Sequence, residues 1–356
     1  MKTYFPFLKM KQNEIGALFG LEKSLKSSVF PLFDIPRPSI LNEAEILHRL
    51  SIGLKNAKSY LKDTSFYVDN YDLDDDITLN GKQQYEYILD TFSGFNVTSV
   101  AALNREKGHN QAALDFSVKN HKKIAIRLTK QDIDSFKLIF NELDILMKQI
   151  FSLNIDPQLI IDLRVLNEDP DTLVNIIELF LSQFTKLYGV SKIVIVGSTI
   201  PSSVRDLLKT KTNLKIKRNE WKVWKSVEGK ISTENLCNYA FGDYGVVSPD
   251  YTDVELNFAI LQNVAAPKVF YTLKDEFFII RGGAFKTHPN GYKQYFTMAD
   301  YLYSEKILRA ISYSMGDKYI HERCSYAPKK LLKGGSPGSW LKATLNSHMT
   351  YIIKNL

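Results

Sequence analysis

Several residues able to do chemistry stand where apolar runs end. Lys9, Asp34, Asp69, Asn104, Arg127, Asp162, Arg164 and Asp243 each fall at or just beyond such an end. Aspartates beside lysine or arginine can bind a divalent ion or move protons, while the cations hold a phosphate or carboxylate. The candidate catalytic groups are therefore Lys9, Asp34, Asp69, Asp162 and Asp243, and Arg127, Arg164 and Arg281 are candidate anion ligands. Lys9 in an apolar setting also has the chemistry of an imine-forming lysine, although Lys11 two residues on suits an anion contact or ion pair as well. The same residues can simply pair with one another as hydrogen-bonded ions. Asp162 and Arg164 are two apart and share one face of a regular strand.

Other motifs exclude more than they suggest. His321 and Cys324 are three apart without a second ligand pair, so no metal site is expected. The glycine patterns of phosphate-binding loops are missing, and no cofactor is specified. In NLKIKRNEWKVWK, Trp221 and Trp224 alternate with cations, which suits either stacking on nucleic acid or an edge strand with one solvated face. YAPKKLLKGGSPGSWLK offers backbone amides and Lys329, Lys330 and Lys333 to an anion or an acidic partner, or is a surface loop.

Strand ends converge only if a fold gathers them. Short β-branched runs alternate with helical periodicity, giving strands near Tyr4–Lys9, Val29–Asp34, Ser65–Asp69, Thr98–Leu103, Lys123–Arg127, Gln158–Arg164, Lys192–Val196 and Asn238–Phe241. Eight such units close a (β/α)8 TIM-like barrel, with an open doubly wound sheet as the alternative. Asn42 and an acidic turn open one helix, and Gly189 is expected to end another in a left-handed conformation. KVFYTL and EFFIIRG read as an antiparallel hairpin, followed by two helices. The expected domains are a barrel over residues 1–245 and a hairpin with a basic helical extension over 246–356, packed on the barrel.

The net charge is +7, and residues 301–356 carry nine Lys or Arg against three acids, so +6 of it lies in the tail. Such a local field steers acidic proteins, phosphates or nucleic acid. No apolar run is long enough for a signal peptide or a membrane span, and the two cysteines lie far apart, so a cytoplasmic protein is expected.

YFPFLKMKQNEIGALFGL followed by VFPLFDI, then GDYGVVSPD, FFIIRGG, and GSW with NSHMT, resemble in order and spacing the phage beta-protein family. The residues that carry the likeness are Lys9, Glu14, Asp34, Asp243, Arg281, Trp340 and His348, and the last two join the candidate ligand residues. The resemblance implies a protein of phages and mobile elements that protects its host from a killer protein encoded beside it. It supplies no catalytic residue. Where the family shows paired histidines near its end, this chain has Ser347 and His348, which tells against a role needing two imidazoles. The leading expectation is an interaction protein in phage defence or a toxin-antitoxin pair, with a nearby-encoded protein as partner. The alternatives are a barrel enzyme for a nucleotide or phosphodiester and a nucleic-acid-binding module.

Overall fold

A computed structural model describes residues 2–231, 238–250, 265–328 and 331–356. Lys329 and Lys330 lie outside them. Strands β1 (Tyr4–Lys9), β2 (Leu32–Asp34), β3 (Phe66–Asp69), β4 (Val97–Ala102), β5 (Lys123–Thr129), β6 (Asp156–Val165) and β7 (Lys192–Ser198) pair in sequence order. The strand Asn238–Asp243, here β9, pairs with both β7 and β1 and closes the ring. The fold is thus a closed, eight-stranded parallel barrel with alternating helices, and the open sheet is excluded. Each of the eight runs picked out by apolar pattern is a barrel strand.

Side chains two apart along these strands fill the barrel. Phe5 and Phe7, Val194 and Val196, with Tyr67, Ile160 and Tyr244, belong to one buried cluster. The alternate positions face the helices, as a parallel sheet buried on both sides requires. β2 is shorter than the expected Val29–Asp34, because Pro31 has no N–H to give and only an isolated bridge from Tyr4 to Val29 precedes it. At the other end of the scale β6 runs ten residues, with its register against β7 shifting between Asp162 and Val165.

Helix punctuation is partly as expected. Asn42 caps the helix Glu43–Tyr60 by accepting from the Glu45 N–H at 2.9 Å. The helix Pro170–Leu187 is capped by Asp169 with proline first, and it ends at an extended Tyr188. The left-handed ending expected at Gly189 is therefore corrected: with the chain already extended at Tyr188, Gly189 does not take a positive φ.

The remaining strands form a separate three-stranded antiparallel sheet in the order β10 (Lys268–Thr272), β11 (Glu276–Arg281), β8 (Thr212–Lys217). The hairpin is the expected one. The edge strand β8, most of whose residues are exposed, is the edge-strand reading of NLKIKRNEWKVWK borne out for its first part, with Leu214 and Ile216 alternating with Asn213, Lys215 and Lys217. NLKIKRNEWKVWK divides at Arg218, its first part being this edge strand and its second the helix Asn219–Ile231. Trp221 and Trp224 are 8% and 1% exposed, with Trp221 set edge-on to Phe241 at 5.0 Å. They are packing residues, so the base-stacking reading of that stretch is overturned.

Two compact units result. The first comprises residues 1–15, 28–198 and 219–244, and the second residues 16–27, 199–218 and 245–356. The expected division at residue 245 lies beside one of these boundaries, while two shorter segments from earlier in the chain also belong to the second unit.

Barrel closure leaves room for little at Gly242, where a Cβ would stand 2.9 Å from the Phe5 carbonyl oxygen and 2.7 Å from Val196 Cγ2. Gly242→Ala is expected to cost about 1–3 kcal/mol through this overpacking. Chemical denaturation checks it, and unchanged stability would mean that β9 does not lie this close to β1.

Candidate functional site

The C-terminal ends of the barrel strands bear one charged row. Lys9, Asp34 and Asp69 are register partners on β1, β2 and β3, so three neighbouring strands end on charge. Arg127, on β5, reaches across to them. Its Nη1 donates to Asp34 Oδ1 at 2.8 Å and Asp69 Oδ2 at 2.7 Å. Its Nε and Nη2 donate to Asp162 Oδ2 at 3.0 and 2.6 Å, and Nη2 also donates to the Tyr244 hydroxyl at 3.1 Å. A guanidinium has five N–H donors, and here all five have acceptors. The carboxylates are just as fully used. The second oxygen of Asp34 takes Lys9 Nζ at 3.3 Å, that of Asp69 takes Arg105 and the Asn70 N–H, and that of Asp162 takes the Arg164 N–H at 3.0 Å. Arg127 is 1% exposed.

The expectation for Asp162 and Arg164 needs one refinement. They belong to one cluster, but through a break in the strand and not through its regularity. Arg164 has φ +54°, left-handed backbone that a side chain tolerates only under local constraint, and the constraint visible here is its N–H bond to Asp162. Its guanidinium then stands 4.5 Å from the Tyr71 ring and 5.8 Å from that of Tyr244.

A second layer comes from the loop after β3. Leu73 N–H donates to the Asn70 carbonyl at 2.9 Å, closing a turn whose two central residues are Tyr71 and Asp72. The Tyr71 ring lies 4.2 Å from Arg127 Cζ, and Asp72 accepts from Lys9 Nζ. Asp75 pairs with Arg105 at 3.0 Å. The acidic run DNYDLDDD, which composition marks as low-complexity, thus supplies counter-ions to the barrel mouth. Tyr71, Asp72, Asp75, Arg105 and Tyr244 were not among the candidates. Charge is the signal that could have raised Asp72 and Asp75, since cations at strand ends need acidic partners and DNYDLDDD is an acidic run; Tyr71, Arg105 and Tyr244 carry no such signal.

These contacts shift the titrations. Burial works to raise the Asp34 pKa, but Arg127 and then Lys9 outweigh it and hold the group at about 2. For Arg127 burial works downward, and Asp34 and Asp162 drive its pKa well above the usual value. Asp72 is pushed up by burial and by Asp34, against Lys9. Beneath the cluster Glu14 accepts from the Lys9 N–H, and burial raises its pKa to about 7 despite that bond.

Other expected site residues lie elsewhere. Asp243 is at the correct end of β9 but on its helix-facing side, where it accepts from the Tyr4 hydroxyl at 2.6 Å. The expectation that it joins the mouth is corrected: the strand's alternation gives the inward position to Tyr244. Asn104 donates to Asp132. In the second unit Arg281 donates to the Leu208 carbonyl, and His348 Nδ1 lies 2.8 Å from Thr272 Oγ1. Trp340 is buried, spends its indole N–H on the Gly334 carbonyl at 2.8 Å and stacks on Tyr295, which makes it core and not a ligand surface. Lys333 is exposed. Among the described residues no three of His, Cys, Asp and Glu are placed to hold a metal ion, and at the mouth a guanidinium stands where the aspartates converge. Among the described residues no helix is long and apolar enough to cross a membrane.

A closed parallel barrel whose mouth is tied by a buried ionic network is the class that fold and site define. The sequence model described as Beta protein matches residues 4–354, and the chain belongs to the Beta protein family. A search of curated proteins found none that matches. Among solved structures, the complex structure of a GH113 β-1,4-mannanase is similar at 10% identity with a TM-score of 0.34, over 68% of this chain and 87% of that one.

Two outcomes test the site. Arg127→Ala leaves three buried carboxylates without their cation and is expected to destabilise the protein by about 3–5 kcal/mol; loss of less than a third of that would mean the network is solvated. Glu14 keeps its proton in the folded state up to about pH 7, whereas the unfolded chain releases it near the ordinary glutamate value of 4.5. The folded state therefore holds more protons between these pH values, and its stability from this group is full below about 4.5 and lost as pH rises through 7. The change is worth about 3 kcal/mol, and Glu14→Gln should flatten it in denaturation curves taken across that range; a slope unaltered by the substitution would assign it to another group.

Proposed function

We propose that the chain is an interaction protein of a phage or mobile-element defence or toxin-antitoxin system, which partners or neutralises a toxic protein encoded beside it. The observation that supports this best is the saturation of the barrel mouth. All six carboxylate oxygens of Asp34, Asp69 and Asp162 already accept hydrogen bonds, and all five guanidinium protons of Arg127 are given away. General acid-base catalysis needs a group within reach of substrate and in the right protonation state. A carboxylate held at about 2 by a buried arginine is a poor base, so the mouth as it stands favours a scaffold over a catalyst.

The partner's docking surface is then sought on the outside. The tail's cations divide into two sets. Arg309 donates to the Ser347 hydroxyl and the Thr272 carbonyl, and Arg323 to the carbonyls of Tyr319 and Gly334. Lys354 donates to the Tyr313 carbonyl at 3.2 Å, whereas Lys306, Lys318 and Lys333 are exposed and remain to meet an acidic partner. The enzyme reading, for a phosphate-containing substrate, keeps one observation in its favour, namely that the charges stand at the strand ends where barrel enzymes place their sites.

Co-expression with the flanking gene tests the proposal. The neighbour should be toxic alone, and this chain should relieve the toxicity and co-purify with its product. A harmless neighbour, or absence of both protection and co-purification, would sink it. Changing Lys329, Lys330 and Lys333 together to glutamate should weaken partner binding at low salt while altering stability by no more than about 0.5 kcal/mol. Unchanged affinity in a titration at low salt would remove this segment as the docking surface.

A further inference from the structure

The turn over the barrel mouth has the composition of a ligand. Tyr71 and Asp72 are its two central residues, one an aromatic ring and the other an anion, joined in sequence. The ring is set against three guanidiniums, with Arg127 at 4.2 Å, Arg164 at 4.5 Å and Arg105 at 5.7 Å. Arginine planes are good stacking partners for aromatic faces. Beside the ring the Asp72 carboxylate takes Lys9 Nζ and comes within 3.9 Å of Arg164 Nη2. A lysine and an arginine converging on one anion form the usual grip on phosphate.

We infer that the barrel mouth is a binding site for an aromatic phosphate of the nucleotide type, and that Tyr71 and Asp72 occupy it in that ligand's place. The inner network need not open for exchange. Asp34, Asp69 and Asp162 keep Arg127, and only Tyr71 and Asp72 leave, Asp72 with a side chain 6% exposed. With Asp72 withdrawn, the four cations Lys9, Arg105, Arg127 and Arg164 balance the four carboxylates Asp34, Asp69, Asp75 and Asp162, and an incoming anion takes the place of Asp72 beside Lys9 and Arg164. The turn is pinned on both sides: Asn70 donates to Gln84 and Asp75, and Leu73 is buried. That confines the exchange to two residues. Arg164 adds an independent mark, since it alone in β6 takes positive φ, and that strained backbone is what aims its guanidinium at the ring.

This goes beyond the protein-partner reading and stands or falls separately from it, since its readout is small-molecule affinity of the isolated chain. The full-length protein is titrated calorimetrically with adenosine monophosphate, phenyl phosphate and inorganic phosphate. A plug that competes with ligand lowers apparent affinity by the fraction of molecules it closes, so Tyr71→Ala with Asp72→Ala should tighten both aromatic phosphates by about tenfold or more. Adding Arg164→Ala to that pair should abolish the gain, and inorganic phosphate should bind the pair at least about tenfold more weakly than phenyl phosphate, having no ring to stack. A double variant that keeps the wild-type near-ultraviolet circular dichroism and gains no affinity overturns the inference. Equal affinity for inorganic phosphate overturns the aromatic part of it. If the alanine pair does not fold, Tyr71→Phe with Asp72→Asn removes the competing charge at constant shape; a severalfold gain for phenyl phosphate supports the plug, and no gain refutes it.

Discussion

One guanidinium closes the account of this barrel. Arg127 is the single cation that three strand-end aspartates share, and everything at the mouth is arranged around its five donors. Burying an arginine is costly, and burying three carboxylates costs more, so neither set can be present without the other. The consequence for the fold is a tie across the barrel from β5 to β2, β3 and β6, independent of the hydrogen bonds between neighbouring strands. The consequence for chemistry is that the innermost hydrogen-bonding groups are already spoken for, and any ligand must be met by Lys9, Arg105 and Arg164 and by the face of Arg127.

The strained backbone at Arg164 and the turn at Tyr71–Asp72 follow from the same constraint. A regular β6 would send the Arg164 side chain inward beside Asp162, into a space Arg127 already holds. The register shift after Asp162 releases it, sending the guanidinium outward onto two aromatic rings. Asp72 then balances Lys9 and Arg164, and Asp75 balances Arg105, which gives the acidic run a structural meaning.

Much of this was legible in sequence because a buried parallel strand is an apolar run, and a charge at the end of such a run must be at an end of the barrel. That argument found Lys9, Asp34, Asp69, Arg127 and Asp162. It failed for Asp243 because it locates a residue along a strand and not on one of its two faces, and a shift of one residue exchanges the barrel interior for the helix side. It could not find Tyr71, Asp72 or Arg105 at all, since loop residues carry no period. The tail shows the converse error: a count of cations treats Arg309 and Arg323 as free field, whereas both are committed to hydrogen-bond acceptors within the second unit. Trp221 and Trp224 mislead for a related reason, because an amphipathic helix also interleaves aromatic and basic residues.

The most direct test of the central claim is the solvent exchange of the Arg127 side-chain protons, followed by NMR on protein labelled with nitrogen-15 in arginine. If the guanidinium is locked by Asp34, Asp69, Asp162 and Tyr244, its Nε–H should exchange on the order of a hundredfold or more slowly than that of an exposed arginine, since the network must open first. Exchange at the rate of a free arginine side chain would contradict the account, because it would place water where the structure places three carboxylates.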